Sequence, residues 1–221
     1  MTKTLSGFKF LECSLSGEKY PIDKPMRLSP SSEKPLLARY DIEKISKSFT
    51  PKNLLGRRND MWRYEELLPV LNYEKIISLG EGNTPFMKMN NLSKKLSINN
   101  FFVKDESNNP TGSFKARGLS AAISKANEYG IKGIVMPSAG NAAGAMSAYA
   151  AKANMEANVF MPKDAPLANK MECAAFGANV KLVDGFISDA GKASAIAAEK
   201  YGYFDVSTLK EPYRVEGKKT M

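Results

Sequence analysis

The stretch "GIVMPSAGNAAGAMSAYAAKANMEANVFMP", residues 133–162, decides the fold. Residues 133–137 and 157–162 are short apolar runs of strand length, and the small-residue segment 142–153 between them reads as a helix. Strand, helix and strand within about 30 residues make the βαβ unit of a parallel sheet. Working outward, the alternation continues on both sides. "FFVKDE" (101–106) is a short strand, and "FKARGLSAAISKANEYG" (114–130) places Leu119, Ile123 and Ala126 on one helical face. Downstream come helix 166–176, strand 179–184, helix 188–200 and strand 203–207 at near-constant spacing. Helix ends agree: Pro166 suits a first turn, Ser188 an N-cap, and Gly130, Gly177 and Gly202 C-terminal caps. An α/β fold with parallel sheet and helices over its faces is the economical outcome.

The flanks are less regular. Pro21, Pro25, Pro30 and Pro35 punctuate a polar segment, "KPLLARYDIEKISKSF" (34–49) combines an extended run with a weak helix, and "MWRYEELLPVLN" (61–72) reads as a short helix closed near Pro69. Past residue 207, "TLKEPYRVEGKKTM" looks like a helix just starting, with no apolar face to dock it. A loose tail or an incomplete unit is expected there.

With 221 residues and 43% hydrophobic content the chain is expected to fold. Lys and Arg exceed Asp and Glu by 32 to 23, for a net charge of +9. Basic residues never run longer than two, and no aromatics interleave with them, so neither nucleic acid nor a membrane surface is the expected partner. No apolar run has the length of a signal peptide core or a membrane span, which makes the cytoplasm the expected location. The two cysteines, Cys13 and Cys173, supply no disulfide framework, and there is no histidine. Catalysis is left to lysine, carboxylates, hydroxyls or a cofactor.

Three segments carry candidate chemistry. In "NPTGSFKARG" (109–118), Lys115 sits at a helix start, where the backbone potential disfavours its protonated form. Such an amine is suited to a Schiff base, with Ser113 as a cap and Phe114 as an aromatic wall, although a solvated lysine on a capped helix has the same pattern. "PSAGNAAG" (137–144) follows a strand and opens a helix, so it is either a ligand loop or a tight turn. "SLGEGNTPF" (78–86) has a tightly specified backbone. "KDE" (104–106) reads as a solvated charge cluster, and Cys173 as a core thiol on the apolar side of its helix with Met171.

Together, "MWRYEELLPV", "SLGEGNTP", "KDESNNPTGSFKARG", "PSAGNAAGAMSAYAAKA", "VFMPKDAPLANKMECAAFGA", "VDGFISDAG" and "FDVSTLKEPYRVEGKKTM" resemble, in order, the landmarks of the threonine synthases. These are pyridoxal phosphate lyases of the tryptophan synthase β-like class, or fold type II. The resemblance implies an α/β fold of three-layer parallel sheets with an incomplete large domain. It divides the chain into a 1–80 appendage, the start of the large domain at 81–119, a small domain at 120–207 and a return segment at 208–221.

The implied cofactor is pyridoxal phosphate, held covalently by Lys115, which then shuttles protons. Asn141 would bond the cofactor's 3-hydroxyl and Phe114 would lie beside its ring. Ser138 belongs to the loop that closes near substrate, and Thr84, Lys104 and Ser113 are further substrate contacts. The implied reaction, in threonine biosynthesis, converts O-phosphohomoserine and water to threonine and phosphate. A related cysteate synthase acting on phosphoserine, and a non-catalytic binding module of the same fold, stay open as alternatives.

Two departures matter. "CSLS" (13–16) and "SPSS" (29–32) resemble a zinc knuckle in which only Cys13 remains, Ser16, Ser29 and Ser32 standing where thiolates belong, so no metal is expected. In the family, the glycine-rich cradle for the cofactor phosphate and the hydroxyl facing the pyridine nitrogen lie beyond "VEGKKTM". Charge-assisted hydrogen bonds of that kind contribute about 1.5 to 3 kcal/mol each, so tight cofactor binding and activity are not expected of these 221 residues alone. A complementary C-terminal chain and a second copy in a homodimer are the expected protein partners.

Overall fold

The computed structural model describes residues 6–221. Strands β1 (Phe8–Cys13), β2 (Lys19–Tyr20) and β3 (Leu36–Tyr40) form an antiparallel sheet in the order β2-β1-β3. Leu11, opposite Tyr20 on one side and Ala38 on the other, is fully buried. The two turns of the knuckle do meet: Cys13 Sγ lies 3.2 Å from Ser32 Oγ and receives the Ser16 N–H at 3.4 Å. Hydrogen bonds from Ser16, then Ser32, pull the Cys13 thiol down to about 6. Among the described residues no group of three or more His, Cys, Asp and Glu is placed to hold a metal ion.

Two short helices, α1 (Ile42–Ser46) and α2 (Pro51–Leu54), precede a 3-10 segment at Met61–Leu67, so the helix expected at 61–72 is tighter and shorter. Strand β4 (Phe86–Lys88), helix α3 (Asn90–Leu96) and strand β5 (Phe102–Lys104) follow, with β4 and β5 antiparallel.

The strand expected at 101–106 is therefore outside the parallel sheet, paired antiparallel with β4, but from α4 onward the βαβ region matches the sequence pattern closely. It runs α4 (Lys115–Glu128), β6 (Gly133–Pro137), α5 (Asn141–Lys152), β7 (Glu156–Pro162), α6 (Leu167–Ala175), β8 (Asn179–Val183), α7 (Ile187–Tyr201), β9 (Phe204–Asp205) and α8 (Arg214–Lys218). Four strands form a parallel sheet in the order β8-β7-β6-β9. Its connections decide where a crevice opens. From β6 to β7 to β8 the chain steps one way, then α7 carries it back across the sheet to β9 beside β6. Right-handed crossovers therefore put α5 and α6 on one face and α7 on the other, which gives three layers. The β6/β9 boundary, where the direction reverses, is a topological switch point, and open sheets form their crevice there at the carboxyl ends of the strands.

Ser188 does not cap α7. Phe186 is the N-cap residue, and its N–H donates to the Asp189 carboxylate at 3.0 Å. Met171 does not share the core with Cys173: it is exposed while Cys173 is fully buried.

At the chain's end one of the two expectations, the loose tail, falls. Segment 208–221 is no loose tail, because α8 docks on α4 with Tyr213 and Arg214 buried. Glycine, rather than an apolar face, makes the docking possible. A Cβ at Gly217 would stand 2.0 Å from the Arg117 carbonyl oxygen, and one at Gly118 would stand 2.9 Å from that of Arg214. With hydrogen alone at both positions, the two backbones come close enough to touch. No helix among the described residues is long and apolar enough to cross a membrane.

Candidate active site

Ser113, in extended conformation, ends the turn before α4 and accepts the Lys115 N–H on its hydroxyl at 3.3 Å. This fixes the first residue of α4 and aims its side chain into a cleft of about 560 Å³ at the switch point. The lining includes Lys115 from α4, Ser138 and Asn141 from the β6–α5 turn, Thr208 beyond β9 and Arg214 from α8. Every one of these sits where the topology puts a loop or a helix start. The Phe114 ring lies 4.2 Å from Lys115 Nζ. Burial, and then the nearby Arg214 cation, lower the pKa of Lys115. A lysine so placed gives up its proton more readily than a surface one.

The β6–α5 turn is held from both sides. The Ser138 N–H donates to Phe160 O at 3.0 Å, Asn169 Nδ2 donates to Ala139 O at 2.8 Å, and the Ala143 N–H donates to Gly140 O at 2.8 Å. Asn141, at the first turn of α5, is exposed to the cleft. Of the residues named from the sequence, Lys115, Ser138 and Asn141 line this cleft, Phe114 lies beside Lys115 Nζ, and Ser113 is buried behind it, bonded to the Lys115 N–H rather than lining the cleft.

Thr84 and Lys104 go elsewhere. With Arg117 they line a second, smaller cavity of about 160 Å³. Thr84 Oγ1 donates to Glu106 at 2.6 Å, and Lys104 Nζ to Thr84 O at 3.2 Å. Glu106 is no solvated charge: its carboxylate receives Arg117 Nε at 2.7 Å and Nη2 at 2.8 Å. Burial would raise its pKa, but the bonds from Arg117, Thr84 and Asn109 outweigh that and hold it at about 2. A wider concavity, about 700 Å³, runs along α3 from Lys88 to Asn100 and gathers only exposed or half-exposed lysine, serine, asparagine and isoleucine. Volume alone does not choose the site.

Residues 77–221 match the family described as pyridoxal-phosphate dependent enzyme. The chain belongs to the pyridoxal-phosphate dependent enzyme family. Within it, the chain is 39% identical over 184 residues to a threonine synthase of Methanocaldococcus jannaschii, a match covering 82% of this chain and 45% of that protein. It is 31% identical over 212 residues to a threonine synthase of Methanosarcina acetivorans, covering 96% of this chain and 51% of the other. The chain spans about half the length of the curated relatives it matches. Among solved structures, the processed form of threonine deaminase isoform 2 from Solanum lycopersicum superposes with a TM-score of 0.60 at 20% identity, over 92% of this chain and 51% of that one. Diaminopropionate ammonia lyase from Escherichia coli gives 0.60 at 19% identity, over 67% and 44%. At those identities the likeness concerns the fold, which is that of this family.

Two groups escaped the sequence reading. Arg214 was quoted within a family landmark but given no role, and it lines the cleft. Glu81, in the loop "SLGEGNTPF", is fully buried and accepts Trp62 Nε1 at 2.9 Å, Ser120 Oγ at 2.5 Å and Tyr149 Oη at 2.6 Å. The signal for Glu81 was a charge between two glycines, both at positive φ.

Proposed function

We propose that this chain carries the lysine-bearing part of a threonine synthase, a lyase that turns O-phospho-L-homoserine and water into L-threonine and phosphate. The observation that carries this is Lys115 opening into the switch-point cleft beside Ser138 and Asn141, in a chain 39% identical to a threonine synthase over 82% of its length. The donor set fits the carbonyl end and ring of pyridoxal phosphate: an amine with lowered proton affinity, an aromatic wall and an exposed amide. When bound, that cofactor supplies an electron sink for the charge left at the substrate's α and β carbons.

The chain's own residues do the rest. Lys115 Nζ holds the cofactor and then moves protons at the α and β carbons, phosphate leaves the γ carbon, and water adds at the β carbon. Ser113 fixes the backbone under Lys115, and Phe114 walls the ring. Asn141 offers its amide to the 3-hydroxyl, and Ser138 offers its hydroxyl to the substrate. Thr84 and Lys104 serve the Arg117–Glu106 pair instead. On this reading 81–119 and 208–221 belong to a large domain, 120–207 is a small one, and 1–80 is an appendage. The protein works in the cytoplasm, and a second copy and a complementary C-terminal chain are the partners to seek by native mass measurement.

Titrating O-phosphohomoserine into the pyridoxal-phosphate-loaded protein tests the proposal. The visible absorbance is expected to shift, at lower concentration than phosphoserine requires, and Lys115→Ala is expected to abolish the response. A stronger response to phosphoserine, or a response that survives in Lys115→Ala, would overturn it.

A further inference from the structure

We propose that Glu81 is a positioning residue of the cleft: its carboxylate ties α4 to α5, so that the first turns of the two helices present Lys115 and Asn141 to one cleft. This rests on the Lys115 cleft being the cofactor site. Glu81 is fully buried, and none of the ion pairs among the described residues includes it. A carboxylate taken out of water without a cation is costly, so hydrogen bonds to its oxygens have to offset the loss. Neutral donors supply them. Oε1 receives Trp62 Nε1 at 2.9 Å and Ser120 Oγ at 2.5 Å. Oε2 receives Tyr149 Oη at 2.6 Å and the Leu79 N–H at 2.9 Å.

Three of these donors stand far from Glu81 in sequence: Trp62 by 19 residues, Ser120 by 39 and Tyr149 by 68. Ser120 lies about one and a half turns after Lys115 on α4, and Tyr149 about two turns after Asn141 on α5. One oxygen thus holds each helix. Because both oxygens belong to one rigid planar group, neither helix can shift alone without breaking a bond to it. Tyr149 stays a donor, since burial and then the Glu81 charge push its phenol well above the ordinary range. The loop is held so as to deliver the carboxylate. A Cβ at Gly82 would stand 2.5 Å from Met61 N, and the Met61 N–H donates to Glu81 O at 2.8 Å. None of Glu81, Trp62, Ser120 and Tyr149 lines the cleft, so Glu81 acts through the helices it joins. Displacing a reacting group by about 1 Å from a distance can cost about a hundredfold in rate, which gives such a tie its weight.

Hydrogen–deuterium exchange of the full chain, read by mass on peptides covering 113–119 and 138–144, tests this without any cofactor. The variants are Glu81→Gln and Tyr149→Phe. Glu66→Gln is the control, because Glu66 is as fully buried but is bonded to Arg57. In Glu81→Gln the two turns are expected to exchange about tenfold faster while β7 keeps its rate, and the pyridoxal phosphate concentration that half-labels Lys115 under borohydride is expected to rise about tenfold. Tyr149→Phe is expected to move both readouts the same way by less, and Glu66→Gln to move neither. A variant that had merely lost stability would exchange faster in β7 as well.

Exchange at the two turns no faster than in the unaltered protein, or half-labelling within about twofold of it, would overturn the proposal in a folded Glu81→Gln. If that variant does not fold, Tyr149→Phe, which removes one hydroxyl and keeps the ring, decides by the same two readouts. The two ideas fail separately. An adduct on Lys115 that neither variant weakens removes Glu81 and keeps the proposed function. Faster exchange at both turns, with no adduct on Lys115 even in the unaltered protein, removes the proposed function and keeps Glu81 as the residue that positions the two turns.

Discussion

Arg117 on α4 and Arg214 on α8 lie on helices in direct contact, and both are all but inaccessible, yet the fold treats them differently. Arg117 spends its donors on Glu106, Thr84 and Thr220, locking the β4–β5 region and the end of α8 to α4. Arg214 also lines the cleft, donates Nη1 to Val206 O and leaves its buried Nε without a partner. The first arrangement holds the framework together. The second leaves a buried guanidinium without a carboxylate partner, at a cost in stability.

The comparison breaks most visibly if Glu106→Gln is harmless. Removing that carboxylate leaves Arg117 buried without its charge partner, so a loss of about 3 kcal/mol in urea unfolding is expected. Arg214→Met, which removes a cation that has no ion pair and one hydrogen bond to a backbone oxygen, should change stability by no more than about 1 kcal/mol. Similar losses for both would mean that Arg214 is already paired. Next in size is Gly217→Ala, whose new methyl would collide with the Arg117 carbonyl and push α8 off α4. A loss of about 2 kcal/mol is expected, read from the same unfolding curves, together with weaker pyridoxal phosphate labelling of Lys115.

The pH dependence sharpens the contrast through the carboxylates. Glu106 is held at about 2 against an ordinary 4.5, so it adds stability above 4.5 that is lost as pH falls toward 2. Glu211 is pushed up to about 7 by burial. Between 4.5 and about 7 the folded chain keeps a proton that the unfolded chain has released, so stability declines as pH rises through that window. Urea midpoints at a series of pH values should show both slopes, with Glu106→Gln flattening the acid limb and Glu211→Gln the neutral one. The smallest effect belongs to Lys104→Ala. Its side chain is exposed and donates to a backbone oxygen, so stability should move by less than about 0.5 kcal/mol.

What was legible in the sequence follows from what local pattern encodes. Strand β6 ends where the apolar run 133–137 ends, and Gly130, Gly177 and Gly202 all take positive φ after their helices. Periodicity and cap chemistry act over a few residues, so they survive in a one-dimensional reading. Lys115 and Asn141 were legible as candidates for the same reason, since each sits at a helix start, whereas Ser138 was named through the family resemblance alone.

The rest depended on contacts distant in sequence. Glu106 reads as one charge among three in "KDE" until α4 brings Arg117 against it. The docking of 208–221 was invisible because glycine leaves no apolar stripe: Gly118 and Gly217 look like helix weaknesses until they face each other's helices. Arg214 lacked a signal for the same reason, its meaning being set by the partner it does not have. Ser188 was misplaced as a cap because Asp189, next to it, reaches the Phe186 N–H first.

The proposed function stands on Lys115, at the switch point of this sheet, being the residue that takes pyridoxal phosphate. Borohydride reduction of the full chain after incubation with pyridoxal phosphate, followed by peptide mass mapping, tests it most directly. One reduced adduct is expected, on the peptide containing Lys115, weakened by Gly217→Ala. No adduct, or adducts scattered over exposed lysines such as Lys9 and Lys192, would contradict it.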